Sequence, residues 1–119
     1  GLMVFSADIQ KGIEPNQLTE VFFELVHKVI SLDSSLDLDR QLERAKNQLL
    51  VSVYEEWEDN AALGHSIGEY LFTTFEPLDV FHQVDRLKQV NLEAIQKVCR
   101  TYFHPHLQTL LIGNPSEDG

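Results

Sequence analysis

The chain has 119 residues and carries 19 Asp and Glu against nine Lys and Arg, which gives a formal charge of −10. A chain of this length can bury a core without disulfides or a metal, so it forms one domain or part of one. The acidic balance argues against nucleic acid and anionic membrane surfaces as partners, because both are bound through clustered Lys and Arg.

One cysteine, Cys99, excludes an internal disulfide framework and leaves the compartment, and therefore the localisation, unknown. No apolar run is long enough to span a bilayer, so we expect no membrane span. The first residues lack the basic start and cleavage pattern of a signal peptide, and the chain starts with Gly1, as a fragment or processed product would.

The first predicted elements are a strand and a helix. Residues 2–9 are mostly apolar and end in turn-forming residues, which predicts a largely buried strand. Pro15 fits the first turn of a helix that continues to Ile30, with Glu24 and Lys28 four residues apart on its outer face.

The next predicted element is the central helix, residues 38–57, with Asp37 as its N-cap. Its apolar residues recur at steps of three and four, which predicts one packing face. That face consists of Leu38, Leu42, Ala45, Leu49, Val53 and Trp57.

The helical pattern continues beyond Trp57 to Leu71. It predicts either one long kinked helix or two helices that meet near residues 58–60, with Asp59 as a candidate cap. Gly64 and Gly68 weaken this segment but would allow another helix to approach closely.

The last predicted elements are two helices and a strand. Residues 78–87 form a short helix, and Asn91 caps the next helix, which stops at residues 104–106. Residues 107–113 then predict a second buried strand, and residues 114–119 a flexible polar tail.

The predicted fold class is therefore α+β, in the order strand, four to five helices, strand. Two strands alone make a marginal sheet with open edges, which invite pairing with another chain. We expect the sheet to be completed by a missing part of the domain or by a second copy, so the chain alone should self-associate.

Few side chains suggest chemistry. His65 and Glu69 share a helix face and could supply two metal ligands, but a catalytic zinc needs three, so we interpret them as an exposed polar pair. His104 and His106 are interpreted as residues that interact favourably with a helix C-terminus. Cys99 lies on an apolar stripe and is interpreted as a small buried hydrophobe.

Other candidates have equally ordinary interpretations. Trp57 could stack on a ligand but lies in the packing stripe, and the carboxylates of residues 55, 56, 58 and 59 point in different directions on a helix. Phosphate-binding Gly-rich loops, Gly-x-Ser-x-Gly, Cys-x-x-Cys and His-x-x-Glu-His are all absent from the sequence. We therefore assign no catalytic, cofactor-binding or metal-binding residue.

Residues 42–50, Leu-Glu-Arg-Ala-Lys-Asn-Gln-Leu-Leu, closely resemble a helix of the pitrilysin/insulinase/mitochondrial-processing-peptidase family of zinc metallopeptidases. Further segments resemble that family's LuxS/MPP-like domain in the same order, and Gln41 departs from its usual Glu. These segments are residues 1–6, 15–30, 65–71, 90–98 and 110–115.

The resemblance implies that residues 1–119 are the C-terminal half of a non-catalytic domain that shapes a substrate chamber. It implies zinc in the catalytic domain of the parent protein and none in this chain. The implied partners are that catalytic domain or a paired subunit, and a peptide substrate. The parent would be a zinc metalloendopeptidase or its inactive homologue, and the chain itself would not be an enzyme.

Two alternatives stay open. In the first, the chain belongs to an inactive homologue kept as an assembly core. In the second, it is an unrelated helical module that binds a partner through an exposed apolar face.

Overall fold

A computed structural model describes residues 2–113, and it contains five α-helices within that range. The helices are α1 (Pro15–Ile30), α2 (Leu38–Glu58), α3 (Asn60–Thr74), α4 (Gln83–Gln89) and α5 (Leu92–Tyr102). Short 3₁₀-helices lie at Ser34–Leu36, Pro77–His82 and Pro105–Leu107.

The predicted α+β fold class is wrong, because residues 2–113 contain helices and no strand. Residues 2–9 and 108–113, which were expected to lie in the two strands, have no regular secondary structure, and residues 105–107 form a 3₁₀-helix. A strand requires backbone hydrogen bonds to a neighbouring strand, and two short apolar segments do not provide a stable sheet by themselves. The predicted tail, residues 114–119, lies outside the described residues.

Helix α1 has the predicted bounds. Pro15 occupies its first turn, where the missing N–H costs nothing. The backbone N–H of Glu14 donates to Oε1 of Gln17 at 3.1 Å and so secures the start of the helix. Lys28 and Glu24 form the expected pair, with 3.1 Å between Nζ and Oε1.

Helix α2 also forms where predicted, but its packing face is shifted. Leu50 is half-buried, whereas Ala45 and Leu49 are exposed. Lys46 was expected to face solvent, yet its side chain is only 13% exposed, and its ammonium donates to the Lys88 carbonyl at 3.2 Å. Lys46 and Leu50 lie four residues apart on this face. Lys46 can belong to it because its long aliphatic stem packs while its charged end keeps a polar partner.

The boundary between α2 and α3 confirms the alternative with two helices. Asp59 separates them, and its Oδ1 accepts from the backbone N–H groups of Ala61 and Ala62 at 2.8 and 2.9 Å. Asp37 occupies the predicted N-cap position of α2 but forms no capping bond through its side chain, because its backbone is left-handed at φ 45°. The two aspartates therefore end up with different roles.

The segment from Pro77 to Tyr102 is divided differently from the prediction. Instead of one short helix over residues 78–87, the 3₁₀-helix Pro77–His82 leads into α4. Asn91 caps α5 as predicted, since its Oδ1 accepts from the Ala94 N–H at 2.9 Å.

The chain divides into two compact units. The first comprises residues 1–32 and 96–119, and its described part contains a cluster of Phe5, Phe22 and Phe103 with ring centroids 5.0 to 6.1 Å apart. Cys99 is buried in this unit, and Nε2 of Gln96 donates to the Ile30 carbonyl at 2.6 Å.

The second unit, residues 33–95, contains α2, α3, the 3₁₀-helix Pro77–His82 and α4. Its buried side chains are Val80 and Val84. Trp57 packs beside them against Phe81, with 5.4 Å between ring centroids, and against Tyr54 at 5.7 Å.

Candidate functional site

The His65–Glu69 pair lies on one face of α3, as the spacing predicted. The distance from His65 Nε2 to Glu69 Oε1 is 3.6 Å, and both side chains are about two-thirds exposed or more. No group of three His, Cys, Asp or Glu suited to a metal occurs among residues 2–113. The geometry is that of an exposed i,i+4 pair, which contributes little stability.

The two terminal histidines follow α5 rather than belonging to it. Tyr102 is the last residue of that helix, and His104 is the N-cap position of the 3₁₀-helix Pro105–Leu107. His106 lies within that 3₁₀-helix, and both histidines are exposed. Both histidines lie just beyond the C-terminus of α5, and their favourable interaction with that terminus stays a prediction.

Cys99 is a buried apolar residue, as predicted. It is 6% exposed, and burial raises the pKa of its thiol above the ordinary value of 9.0. Because the thiolate is the nucleophilic form, a raised pKa disfavours nucleophilic chemistry at this position.

Trp57 packs in the second unit, as its place in the apolar stripe predicted. Tyr54 and Phe81 contact it, and the side chain is half-buried. Its indole Nε1 is buried and has no hydrogen-bond partner in the part of the chain that the structure describes.

The carboxylates of residues 55–59 do not form an acid/base pair. Glu56 accepts a hydrogen bond from the Ser66 hydroxyl, which links α2 to α3, and Asp59 caps α3. Glu55 and Glu58 are exposed. The capping role of Asp59 was predicted from the sequence, whereas the bond between Glu56 and Ser66 was not.

A cluster of Asp79, His82 and Arg86 was missed by the sequence analysis. Asp79 Oδ1 lies 3.1 Å from His82 Nδ1, and its Oδ2 lies 3.3 Å from Arg86 Nη2. The hydrogen bond to His82 and the charge of Arg86 lower the pKa of the Asp79 carboxyl. The three residues are spaced three and four apart, and this spacing was the signal available in the sequence. The cluster links the 3₁₀-helix Pro77–His82 to α4.

A hollow of about 530 Å³ lies at the N-terminus of α2. It is lined by Ser35, Leu36, Asp37, Arg40, Gln41 and Arg44. Its lining is mostly polar and includes two guanidinium groups and the carboxylate of Asp37. The hollow therefore carries charges of both signs and is not a purely cationic site for anions.

The dominant surface feature is exposed apolar side chains. Only Val80, Val84 and Cys99 are buried hydrophobic residues in the described range, whereas twenty-three large hydrophobic residues are at least 39% exposed. Where such side chains lie together, they are typical of surfaces that bind other proteins.

Comparison with protein-family models, with curated proteins and with solved structures finds no match for this chain. The family resemblance therefore stays a prediction from the sequence.

The predicted absence of a membrane span agrees with the helices of the described range, none of which has the length and apolar character needed to cross a bilayer.

The term α+β does not apply to the helical region that the structure describes. The assignment of the parent protein as a peptidase or hydrolase finds no support in the comparisons.

Proposed function

We propose that the chain is a non-catalytic, protein-binding part of a larger assembly, in which other polypeptide covers its exposed apolar side chains. One observation carries this proposal: the described residues expose twenty-three large hydrophobic side chains and bury only three hydrophobic residues. Removing apolar surface from water contributes about 25 cal/mol per Å², so covering these side chains favours association.

The resemblance to the zinc metallopeptidase family supplies a finer form of the proposal. In that form the assembly is a peptide-processing chamber, or an inactive homologue of one, and this chain helps to shape it. Zinc would be bound by the partner domain. The chain alone is then expected to hold no zinc and to hydrolyse no peptide.

A second candidate is a free-standing helical interaction module. The helical character of residues 2–113 favours it, because such a module needs no completed sheet. It differs from the first candidate in requiring no particular parent protein, and both candidates bind through apolar helix faces.

Sedimentation velocity over a range of protein concentrations, with binding of a hydrophobic dye, tests the common part of both candidates. We expect the mean mass to rise above 13.6 kDa with concentration and the dye to bind. A strictly monomeric protein that binds no dye would show that its apolar side chains do not need a partner.

Zinc content and peptide hydrolysis, measured first for this chain and then with an added catalytic half, test the finer form. Peptide hydrolysis that appears only after the catalytic half is added supports the finer form. Stoichiometric zinc or hydrolysis by this chain alone contradicts it.

A further inference from the structure

Helix α3 has two apolar faces, and only one of them is packed within its unit. Its inner face contacts α2 and the 3₁₀-helix Pro77–His82. The half-buried residues of that face are Ala62, Leu63, Ser66, Ile67 and Tyr70, at helical spacing.

The outer face of α3 is also apolar, and its large residues lie at the C-terminal end of the helix. Phe72 is 82% exposed and Phe75 is 81% exposed, while Leu71 is 47% exposed. Leu78, 66% exposed, follows in the 3₁₀-helix that packs on α3. We call Leu71, Phe72, Phe75 and Leu78 the α3 patch.

The geometry of the outer face suits a helical partner. Gly64 and Gly68 lie on the same side as Phe72, and a Cβ built on either glycine would meet no atom within 4 Å. Open space therefore lies next to the α3 backbone at both positions, with Gly64 exposed and Gly68 half-buried. Another helix can approach this backbone closely and pack its own apolar side chains against the aromatic rings of the patch.

The charges around the α3 patch determine which partner it favours. Residues 47–85 contain eight acidic residues and no Lys or Arg. Glu69 and Glu76 flank the patch and are exposed. Arg86, the first Lys or Arg after Lys46, is engaged by Asp79, and the imidazole of His65 lies 3.6 Å from the Glu69 carboxylate. With eight carboxylates and no Lys or Arg in this stretch, the surroundings of the patch are acidic.

We infer that the α3 patch binds an amphipathic helix of another protein, with an aliphatic face that covers Phe72 and Phe75 and Lys or Arg residues beside Glu69 and Glu76. This inference rests on the proposed protein-binding function and specifies the chemistry of the partner. Apolar contact provides affinity, and the opposite charges select basic helices over acidic ones.

The test uses three designed peptides of about 18 residues, or five helical turns. One carries Leu on one face and Lys on the other, the second replaces Lys with Glu, and the third replaces Leu with Ser. Fluorescence anisotropy of labelled peptides measures binding to the whole chain. We expect only the Leu/Lys peptide to bind well, with an affinity that falls as salt is added.

Variants locate the binding site. Replacing both aromatic residues, Phe72→Ser with Phe75→Ser, should weaken binding of the Leu/Lys peptide about tenfold or more, as removal of interface anchors does. The control, Leu49→Ser with Val51→Ser, removes two exposed apolar residues from α2, 53% and 55% exposed, and should leave binding unchanged. Circular dichroism establishes that each variant remains folded.

A charge variant isolates the second part of the inference. Glu69→Gln with Glu76→Gln should weaken binding of the Leu/Lys peptide about threefold to tenfold and reduce its salt dependence. Equal binding of the Leu/Glu peptide, or unchanged Leu/Lys binding by the Phe72/Phe75 variant, would overturn the inference.

Self-association separates this inference from the proposed function. If the Phe72/Phe75 variant stops associating with itself but binds the Leu/Lys peptide like the unmodified protein, a second copy occupies the patch and the inference is wrong. If the chain associates and no peptide binds, the proposed function survives and the inference fails.

Discussion

Side chains with reactive groups are mostly engaged in structure. Cys99 is buried, Asp59 caps a helix, and Asp79 is paired with His82 and Arg86. Each of these groups has a local packing or electrostatic partner that accounts for its position. These three groups therefore have structural roles in the fold.

The first prediction concerns the reactivity of Cys99. Because the thiol is buried and its pKa is raised, Ellman's reagent should modify it at least about tenfold more slowly in the native protein than in urea. A variant with Cys99→Ala and Thr101→Cys moves the thiol to an exposed position of α5 and should react rapidly in the folded state. Equal native rates for the two proteins would contradict the buried environment.

The second prediction concerns the pH dependence that arises at Asp79. Its pKa is lowered in the folded protein, so the pair stabilises the fold above the unfolded value of about 3.8. This stabilisation is lost as the pH falls through the lower native pKa. Asp79→Asn should therefore lower the urea midpoint at pH 7, and the difference from the unmodified protein should disappear at strongly acidic pH.

Asp85→Asn is the matched control for Asp79→Asn, because Asp85 is an exposed carboxylate near the start of α4. Its effect on the urea midpoint at pH 7 should be the smaller of the two. An equally large loss for both variants would indicate a general charge effect rather than the Asp79 cluster.

At the element scale, helices were predictable where the apolar spacing and the capping residues agreed. The structure confirms the helix starts predicted at Pro15, Asp59 and Asn91. Helix α2 ends at Glu58, one residue after its predicted end. These signals are local, because each depends on residues within one or two turns.

The two strands were not predictable in the same way. Short apolar runs such as residues 2–9 are compatible with a strand, but strand formation depends on a distant partner that the run itself does not specify. The shifted face of α2 has a similar cause. Lys46 packs through its stem and bonds to the Lys88 carbonyl 42 residues away, a contact that local spacing does not indicate.

The third prediction concerns the glycines of α3. Gly64→Ala and Gly68→Ala should each stabilise the protein by up to about 1 kcal/mol, because both sites are helical and have open space for a methyl group. Thermal unfolding followed by circular dichroism at 222 nm measures the effect.

Gly12→Ala is the control substitution for these glycines. Its φ of 94° disfavours any side chain, although no atom crowds the site, so this variant should be destabilised. If all three alanine variants shift the unfolding temperature in the same direction, backbone conformation does not control the effect.

At the scale of the whole molecule, exposed apolar side chains and net charge act in opposition. The apolar side chains favour association, while a charge of −10 on every copy opposes it. The balance between them depends on ionic strength, since salt screens exposed charges but leaves apolar contacts in place.

The fourth prediction follows from this balance. Raising the ionic strength from about 0.01 M to about 0.1 M shortens the screening length from about 30 Å to about 10 Å, so self-association should increase. Sedimentation velocity at fixed protein concentration measures the change. Association that weakens with added salt would instead indicate contacts between opposite charges.

Trp57 gives the second unit an intrinsic optical reporter. It is the only tryptophan of the chain, and its indole is half-buried against Tyr54 and Phe81 with a buried Nε1. Indole emission moves to longer wavelength when the ring becomes hydrated. Opening of residues 33–95 can therefore be followed by fluorescence, without a label and separately from the unit that contains Cys99.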